Sequence, residues 1–240
     1  MKFRIFFLLL LLFPFSLFAD STSAILNWNA ATFSGAVAPN PLLNTAQPYA
    51  EIAYAAAFPT QPGIFFESPV LTSLGFSPLT ANLNFQNDSL LAQTDTSLTA
   101  QMNVFGSPGF TFTSETDRYG TIQDTTGHMA ITVPYTLDVN LLPDSSGILK
   151  QASIGVSMDL LTQFPTADEL GTAQALINTP FVSSDTEDKS GVLTISVDAP
   201  PGIYRFDMRS ATTIFDAPEP GTILLLACGI LALASIRILK

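Results

Sequence analysis

The single histidine, His128, and the carboxylate run Asp185-Thr-Glu187-Asp188 are the places where residue type and spacing in this chain could do chemistry. A Ser-His-Asp relay would have to use His128 as its base. No Gly-x-Ser-x-Gly elbow is present to supply the serine. A zinc site needs several His or Cys ligands, and the only cysteine, Cys228, lies in a long apolar run, where it reads as a small filler. His128 therefore reads as a plain surface histidine beside Gly127. Asp185, Glu187 and Asp188 offer oxygens suited to weak calcium binding, but the EF-hand spacing is absent. Flanked by Ser183, Ser184, Lys189 and Gly191, the run reads as a solvated loop. The other acidic residues are scattered, and no pair is singled out for glycoside hydrolysis. Phosphate-binding and dinucleotide glycine fingerprints are absent. No cofactor, resident metal or enzymatic activity is expected. The triplet Asn87-Asp88-Ser89 fits a glycosylation pattern, a three-residue match that carries little weight.

The elements that would position any such residues are strands. Leu79, Ala81, Leu83 and Phe85 alternate with polar neighbours, as do Leu98, Ala100, Met102 and Val104. The same holds for Met129, Ile131 and Val133, for Tyr135, Leu137, Val139 and Leu141, and for Ala152, Ile154, Val156 and Met158. Period-two alternation means one buried and one wet face, as in antiparallel sheets. Turn residues separate the runs, at Ser107-Pro108-Gly109, Pro143-Asp144-Ser145-Ser146-Gly147 and Ser190-Gly191. Leu193, Ile195 and Val197 are expected to pair in a hairpin with Tyr204, Phe206 and Met208. A type II turn at Pro201-Gly202 would join them, with Arg205, Asp207 and Arg209 facing out. Before residue 79, Ala24–Asn29 and Ile64–Glu67 read as strands, Ala53–Ala57 as at most a short helix, and Trp28 as a core residue. Thr166-Ala-Asp168-Glu169 has the capping-box pattern and predicts a short helix over Ala167–Ile177, stopped by Pro180. The expectation is a mainly β, antiparallel β-sandwich over residues 20–216, with about ten strands, a jelly roll the favoured topology, and one short helix.

The ends read differently. Lys2 and Arg4 precede an apolar run, Ile5–Phe18, and then Ala19 before Asp20. This is a secretory signal over residues 1–19 for Sec-type export machinery, with cleavage expected near Ala19 and Asp20. At the other end, residues 217–240 carry Pro218-Glu219-Pro220-Gly221, the uncharged stretch Thr222–Ile236, and the basic residues Arg237 and Lys240. Fifteen helical residues span roughly 22 Å, a marginal match for a hydrocarbon core of about 30 Å, and the basic ends can snorkel. The stretch is expected to be a single transmembrane helix in the inner membrane. Pro218 and Pro220 keep the tripeptide before it extended and accessible.

Pro-Glu-Pro, a short apolar helix and a terminal basic cluster together resemble the PEP-CTERM sorting signal of Gram-negative bacteria. The resemblance covers about a tenth of the chain. It implies that the protein is the substrate of an exosortase, a membrane transpeptidase-like enzyme with a cysteine nucleophile. It also implies association with exopolysaccharide and biofilm matrix.

Between these ends the chain holds 19 acidic and 5 basic residues, a net charge of −14. Such a domain repels nucleic acid and anionic lipid surfaces, so no nucleic-acid partner is expected. It has no disulfide and must be held by its core. The expected function is that of an exported surface or matrix protein, transiently anchored in the inner membrane with its domain in the periplasm. The alternatives are a secreted glycoside hydrolase or lyase using separated carboxylates, and a carbohydrate-binding module. The last would need an exposed aromatic row, for which Trp28, Tyr119, Tyr135 and Tyr204 are the candidates.

Overall fold

The structure, a computed structural model, describes residues 19–41, 50–59, 65–105, 109–143, 149–162 and 168–216. The expected signal peptide, the sorting motif Pro218–Gly221, the stretch 222–236 and Arg237 and Lys240 lie outside the described residues. Among the described residues, no helix is long and apolar enough to cross a membrane.

The strands in chain order are β1 (Asp20–Leu26), β2 (Thr32–Ser34), β3 (Ala36–Pro41), β4 (Glu51–Pro59), β5 (Phe66–Glu67), β6 (Leu71–Ser73), β7 (Leu79–Phe85) and β8 (Asp88–Thr94). They continue with β9 (Leu98–Val104), β10 (Phe110–Asp124), β11 (His128–Leu141), β12 (Lys150–Thr162), β13 (Glu169–Asn178), β14 (Asp185–Asp198) and β15 (Gly202–Asp216). They form two antiparallel sheets. Sheet A runs β14-β11-β1-β9-β8-β7, with β2 also on β11. Sheet B runs β13-β12-β15-β10-β4-β5, with β3 on β10 and β6 on β4. The architecture is a β-sandwich.

Alternation drives the packing. Leu98, Met102, Ile131, Val133, Leu137 and Val139 line the inner face of sheet A, and Phe112, Ile154, Val156, Met158, Phe206 and Met208 that of sheet B, all buried. Each such side chain contributes about 1.5–3 kcal/mol by leaving water. The core also contains a polar seam that ties the sheets together. Ser210 Oγ donates to the Ala24 carbonyl at 2.6 Å, Thr212 and Thr22 share a hydroxyl bond of 2.5 Å, and Ser114 Oγ donates to the Leu91 carbonyl at 2.5 Å.

Buried charges close the two ends of the sandwich. At one pole Arg118 lies fully buried, its Nε donating to Glu51 Oε1 at 2.6 Å and its guanidinium 4.6 Å from the Trp28 ring centroid. Trp28 is thus half-buried core, stacked on Phe206 at 5.7 Å. At the other pole Lys150 Nζ pairs with Asp20 Oδ2 at 2.6 Å, and Lys150 faces Asp216 across the ladder. The first and last strands therefore end at the same pole.

Several local expectations are overturned. Ala167–Ile177, expected as a helix with Asp168 and Glu169 in its cap, is strand over its described part: β13, Glu169–Asn178, lies on the edge of sheet B, paired with β12. Helix preferences of Ala, Leu and Gln amount to tenths of a kcal/mol per residue, and the ladder together with burial of Ala175 and Ile177 outweighs them. Ala53–Ala57 lies inside strand β4 for the same reason, beside β10. Asp185–Asp188, expected as a loop, opens strand β14. The expected hairpin is also replaced. Its inward residues do face the core, but β14 pairs with β11 in sheet A while β15 pairs with β10 and β12 in sheet B. The link Ala199–Gly202 is an arch between sheets, closed by a bond from the Tyr204 hydroxyl to the Pro200 carbonyl. Gly202 lies outside the left-handed region that a type II turn requires. Alternation reports which side of a strand is wet, not which strand lies next to it.

Candidate ligand site on the outer face of sheet B

Three long strands at the centre of sheet B place charged and aromatic residues on its outer face. β10 contributes Glu115, Asp117 and Tyr119, β15 contributes Arg205, Asp207 and Arg209, and β12 contributes Ser157 and Asp159, while β4 adds Tyr54. Register sets them in rows. Asp117 stands opposite Arg209, and Arg209 opposite Ser157. Tyr119 stands opposite Asp207, and Asp207 opposite Asp159. Tyr54 stands opposite Glu115. Together with Met208, the β10, β12 and β15 residues other than Arg205 line a cleft of about 230 Å³.

The side chains are tightly held. Glu115 Oε2 accepts from the Tyr54 hydroxyl at 3.0 Å and from Arg209 Nη2 at 2.5 Å. Arg209 Nε lies 3.9 Å from Asp117 Oδ1. Arg205 grips Asp207 through both oxygens, at 2.8 and 2.6 Å, and its guanidinium lies 5.7 Å from the Tyr119 ring centroid. The Glu115 and Asp117 side chains are only 11% and 13% exposed. Burial, reinforced by the charge and hydrogen bond of Glu115, pushes the Asp117 carboxyl up to about 7. Burial also raises Asp207, with Asp159 adding to it and Arg205 opposing. Tyr54 is pushed up to about 12 by burial and then by Glu115, and Tyr119 rises through burial and then Asp117. Like-charged residues directly opposite on neighbouring strands destabilise a sheet, and buried carboxyls with raised pKa values gather at functional sites. Chemically, the cleft offers carboxyl oxygens as acceptors, one carboxyl, Asp117, pushed up to about 7, the Arg209 guanidinium as donor and a phenol ring.

The residues singled out from the sequence lie elsewhere. His128 is exposed at the start of β11, its Nδ1 2.6 Å from Asp198 Oδ1. Asp185 and Glu187 fall on one side of edge strand β14 and Asp188 on the other, so the three cannot converge on one ion. Among the described residues, no group of His, Cys, Asp and Glu is arranged to hold a metal. Asp20 is buried and accepts from the Leu142 amide at 2.8 Å, while Ala19 precedes β1. Asp88, in the Asn87-Asp88-Ser89 triplet, is buried and accepts from the Phe105 amide at 2.7 Å. Of the four candidate aromatics only Tyr119 lines the cleft. Tyr204 and Trp28 pack into the core, and Tyr135 packs over Gly191.

No family model matches the chain, and no curated protein does. Two solved structures show distant similarity. One is of carbohydrate-binding modules from the beta-sandwich superfamily, with 15% identity, a TM-score of 0.16, and 82% of this chain and 92% of that chain covered. The other is of infectious bursal disease virus, Gt strain, with 10% identity, a TM-score of 0.18, and 84% of this chain and 57% of that chain covered. TM-scores of this size carry no argument.

Proposed function

We propose that this is an exported, non-enzymatic surface or matrix protein whose β-sandwich holds carbohydrate in the outer cleft of sheet B. Strand connectivity reads as a jelly roll: from β9 onward every link except β12 to β13 changes sheets, and β1 fills the place between β9 and β11. The observation that carries the ligand reading is the cleft itself. It places carboxyl groups, the Arg209 guanidinium and Tyr119 together on an open sheet face. Vicinal hydroxyls of a sugar donate to carboxylates and accept from guanidinium and carboxyl protons, and a phenol face stacks on the ring's C–H side. The acidic domain disfavours anionic partners. Export through a signal peptide at residues 1–19 and sorting by an exosortase at Pro218-Glu219-Pro220 rest on the sequence alone. They bring the domain to the cell surface or the exopolysaccharide.

A second reading, a glycoside hydrolase or lyase, draws on the Glu115–Asp117 pair, two neighbouring carboxyls of which Asp117 is pushed up to about 7 by burial. Glu115 is already held by the Tyr54 hydroxyl and by Arg209, which leaves it poorly placed to attack a sugar or activate a water between two carboxyls. Asp207 is occupied by Arg205. Binding is the better fit.

Two experiments test the proposal. Full-length protein on an array of neutral and charged glycans should bind a subset, and Tyr119→Ala should lose that binding; a protein that binds none of them contradicts the ligand reading. In the native cells, Pro218→Ala with Glu219→Ala should leave full-length protein in the inner membrane. Unchanged processing removes the sorting reading and leaves the cleft untouched.

A further inference from the structure

The pole at which β1 begins and β15 ends has an apolar rim. Phe58, at the end of β4, contacts Phe65 at a centroid distance of 5.7 Å. Phe66 contacts Phe85 of sheet A at 4.5 Å, and Phe85 contacts Phe110 at 4.9 Å. Register puts these rings level with the end of β15, since Phe58 stands opposite Thr111 and Thr111 opposite Phe215. Phe105 follows Val104, the partner of Asp20. Leu149 precedes Lys150, the partner of Asp216, and Phe181 precedes Val182, which bridges to Lys150. Phe65 is 65% exposed, Phe181 53%, Leu149 46%, Phe66 38% and Phe105 37%. Four charges at this pole, Asp20, Asp88, Lys150 and Asp216, are buried. Exposed carboxylates stand at its margins, Glu67 in β5 and Glu187 and Asp188 near the start of edge strand β14, with Asp185 half-buried. The opposite pole turns its aromatics inward, closing Trp28 and Phe76 over Arg118.

We propose that this phenylalanine rim rests on the lipid bilayer while the chain is anchored. The proposal builds on the reading of residues 222–236 as a membrane helix. β15 ends in the rim at Asp216, and residues 217–221 are the whole link to that uncharged stretch. Five residues reach at most about 18 Å, so the link keeps the rim within that distance of the membrane surface. Clustered exposed apolar side chains of this extent mark interaction surfaces, and phenylalanine and leucine insert at the headgroup boundary. Burial of Asp20, Asp88, Lys150 and Asp216 removes their share of the desolvation penalty, and the exposed carboxylates at the margins would stay on the aqueous side. The domain would then stand on its Asp20–Lys150–Asp216 end, with the cleft on its flank open to the aqueous phase.

The test uses the full chain in phosphatidylcholine vesicles whose acyl chains carry bromine, a contact quencher of tryptophan. A fluorophore on Cys228 reports whether the tail is inserted. Trp28, at the far pole, is the unquenched reference. Phe181→Trp, and separately Phe65→Trp, should each add a component whose emission falls at least about twofold with brominated lipid and shifts to the blue. An inserted tail with neither new tryptophan quenched overturns the proposal while sparing the anchor, whether the rim then faces water or a second copy of the chain. A tail that does not insert overturns both.

Discussion

The outer faces of the two sheets are built from the same period-two pattern and differ in almost everything else. Sheet A presents Ser21, Ser23, Thr99, Gln101, Asn103, Thr132, Thr136 and Asn140. Several of them satisfy one another: Gln101 Nε2 donates to Ser23 Oγ at 3.2 Å, Thr32 and Thr132 share a bond of 2.5 Å, and Thr186 Oγ1 donates to Asn140 Oδ1 at 3.2 Å. Such hydroxyl and amide pairs stabilise the sheet modestly, by about 0.2–1 kcal/mol each, and leave their polar groups satisfied. Sheet B gathers carboxylates, arginines and tyrosines over four strands, with Asp159 facing Asp207 and Asp117 beside Glu115 under one arginine, Arg209. A fold gains nothing from placing like charges opposite each other. Sheet A has one such pair, Asp138 opposite Asp188, but both lie exposed in water; sheet B instead holds its carboxylates nearly buried, and that marks the face that works.

Breaking the support beneath the cleft should have the largest effect. Glu51 and Arg118 are register partners joining β4 to β10, and Arg118 lies in sequence between Asp117 and Tyr119. Glu51→Ala leaves a buried guanidinium uncompensated and should cost about 3–5 kcal/mol in thermal or urea unfolding. Replacing both, with Glu51→Leu and Arg118→Met, should recover most of that loss.

A second test is pH. Asp117 ionises near 3.8 when unfolded and near 7 when folded, so between those values the folded state binds more protons. Its contribution to stability is therefore intact below about pH 4 and declines as pH rises through about 7. Asp117→Asn should remove the decline. Unfolding at pH 8 should show the variant more stable than the unchanged chain, by about 1.4 kcal/mol per pKa unit removed. No comparable pH effect should follow from any change on the sheet A face. There Ser23→Ala or Gln101→Ala should shift stability by no more than about 0.5 kcal/mol, the smallest of these effects.

Much of the fold was legible because most core strands alternate cleanly. The cleft was not, and β10 shows why. Beside Glu115, Asp117 and Tyr119, its inward residues are Ser114, Thr116, Arg118 and Gly120, so the strand lacks the apolar half of the alternation by which strands are recognised. The polar seam between the sheets makes those positions polar. Arg205, Asp207 and Arg209 were readable as outward-facing, since Tyr204, Phe206 and Met208 mark the other side. What they face is set by cross-strand register, which arises from pairings over 80 residues apart, such as Asp117 with Arg209. Edge strand β13 shows the opposite failure, a helix-favouring segment drawn into a sheet by an unpaired ladder.

The most direct test of the ligand assignment is the affinity of full-length protein for polysaccharide from its own cells. It would be measured for the unchanged chain, for Tyr119→Ala with Asp159→Ala, and for Ser23→Ala with Gln101→Ala. The account predicts that the cleft variant loses affinity by at least about tenfold, equivalent to about 1.4 kcal/mol, while the sheet A variant keeps it. Equal affinity for all three, or loss from the sheet A variant alone, would contradict it.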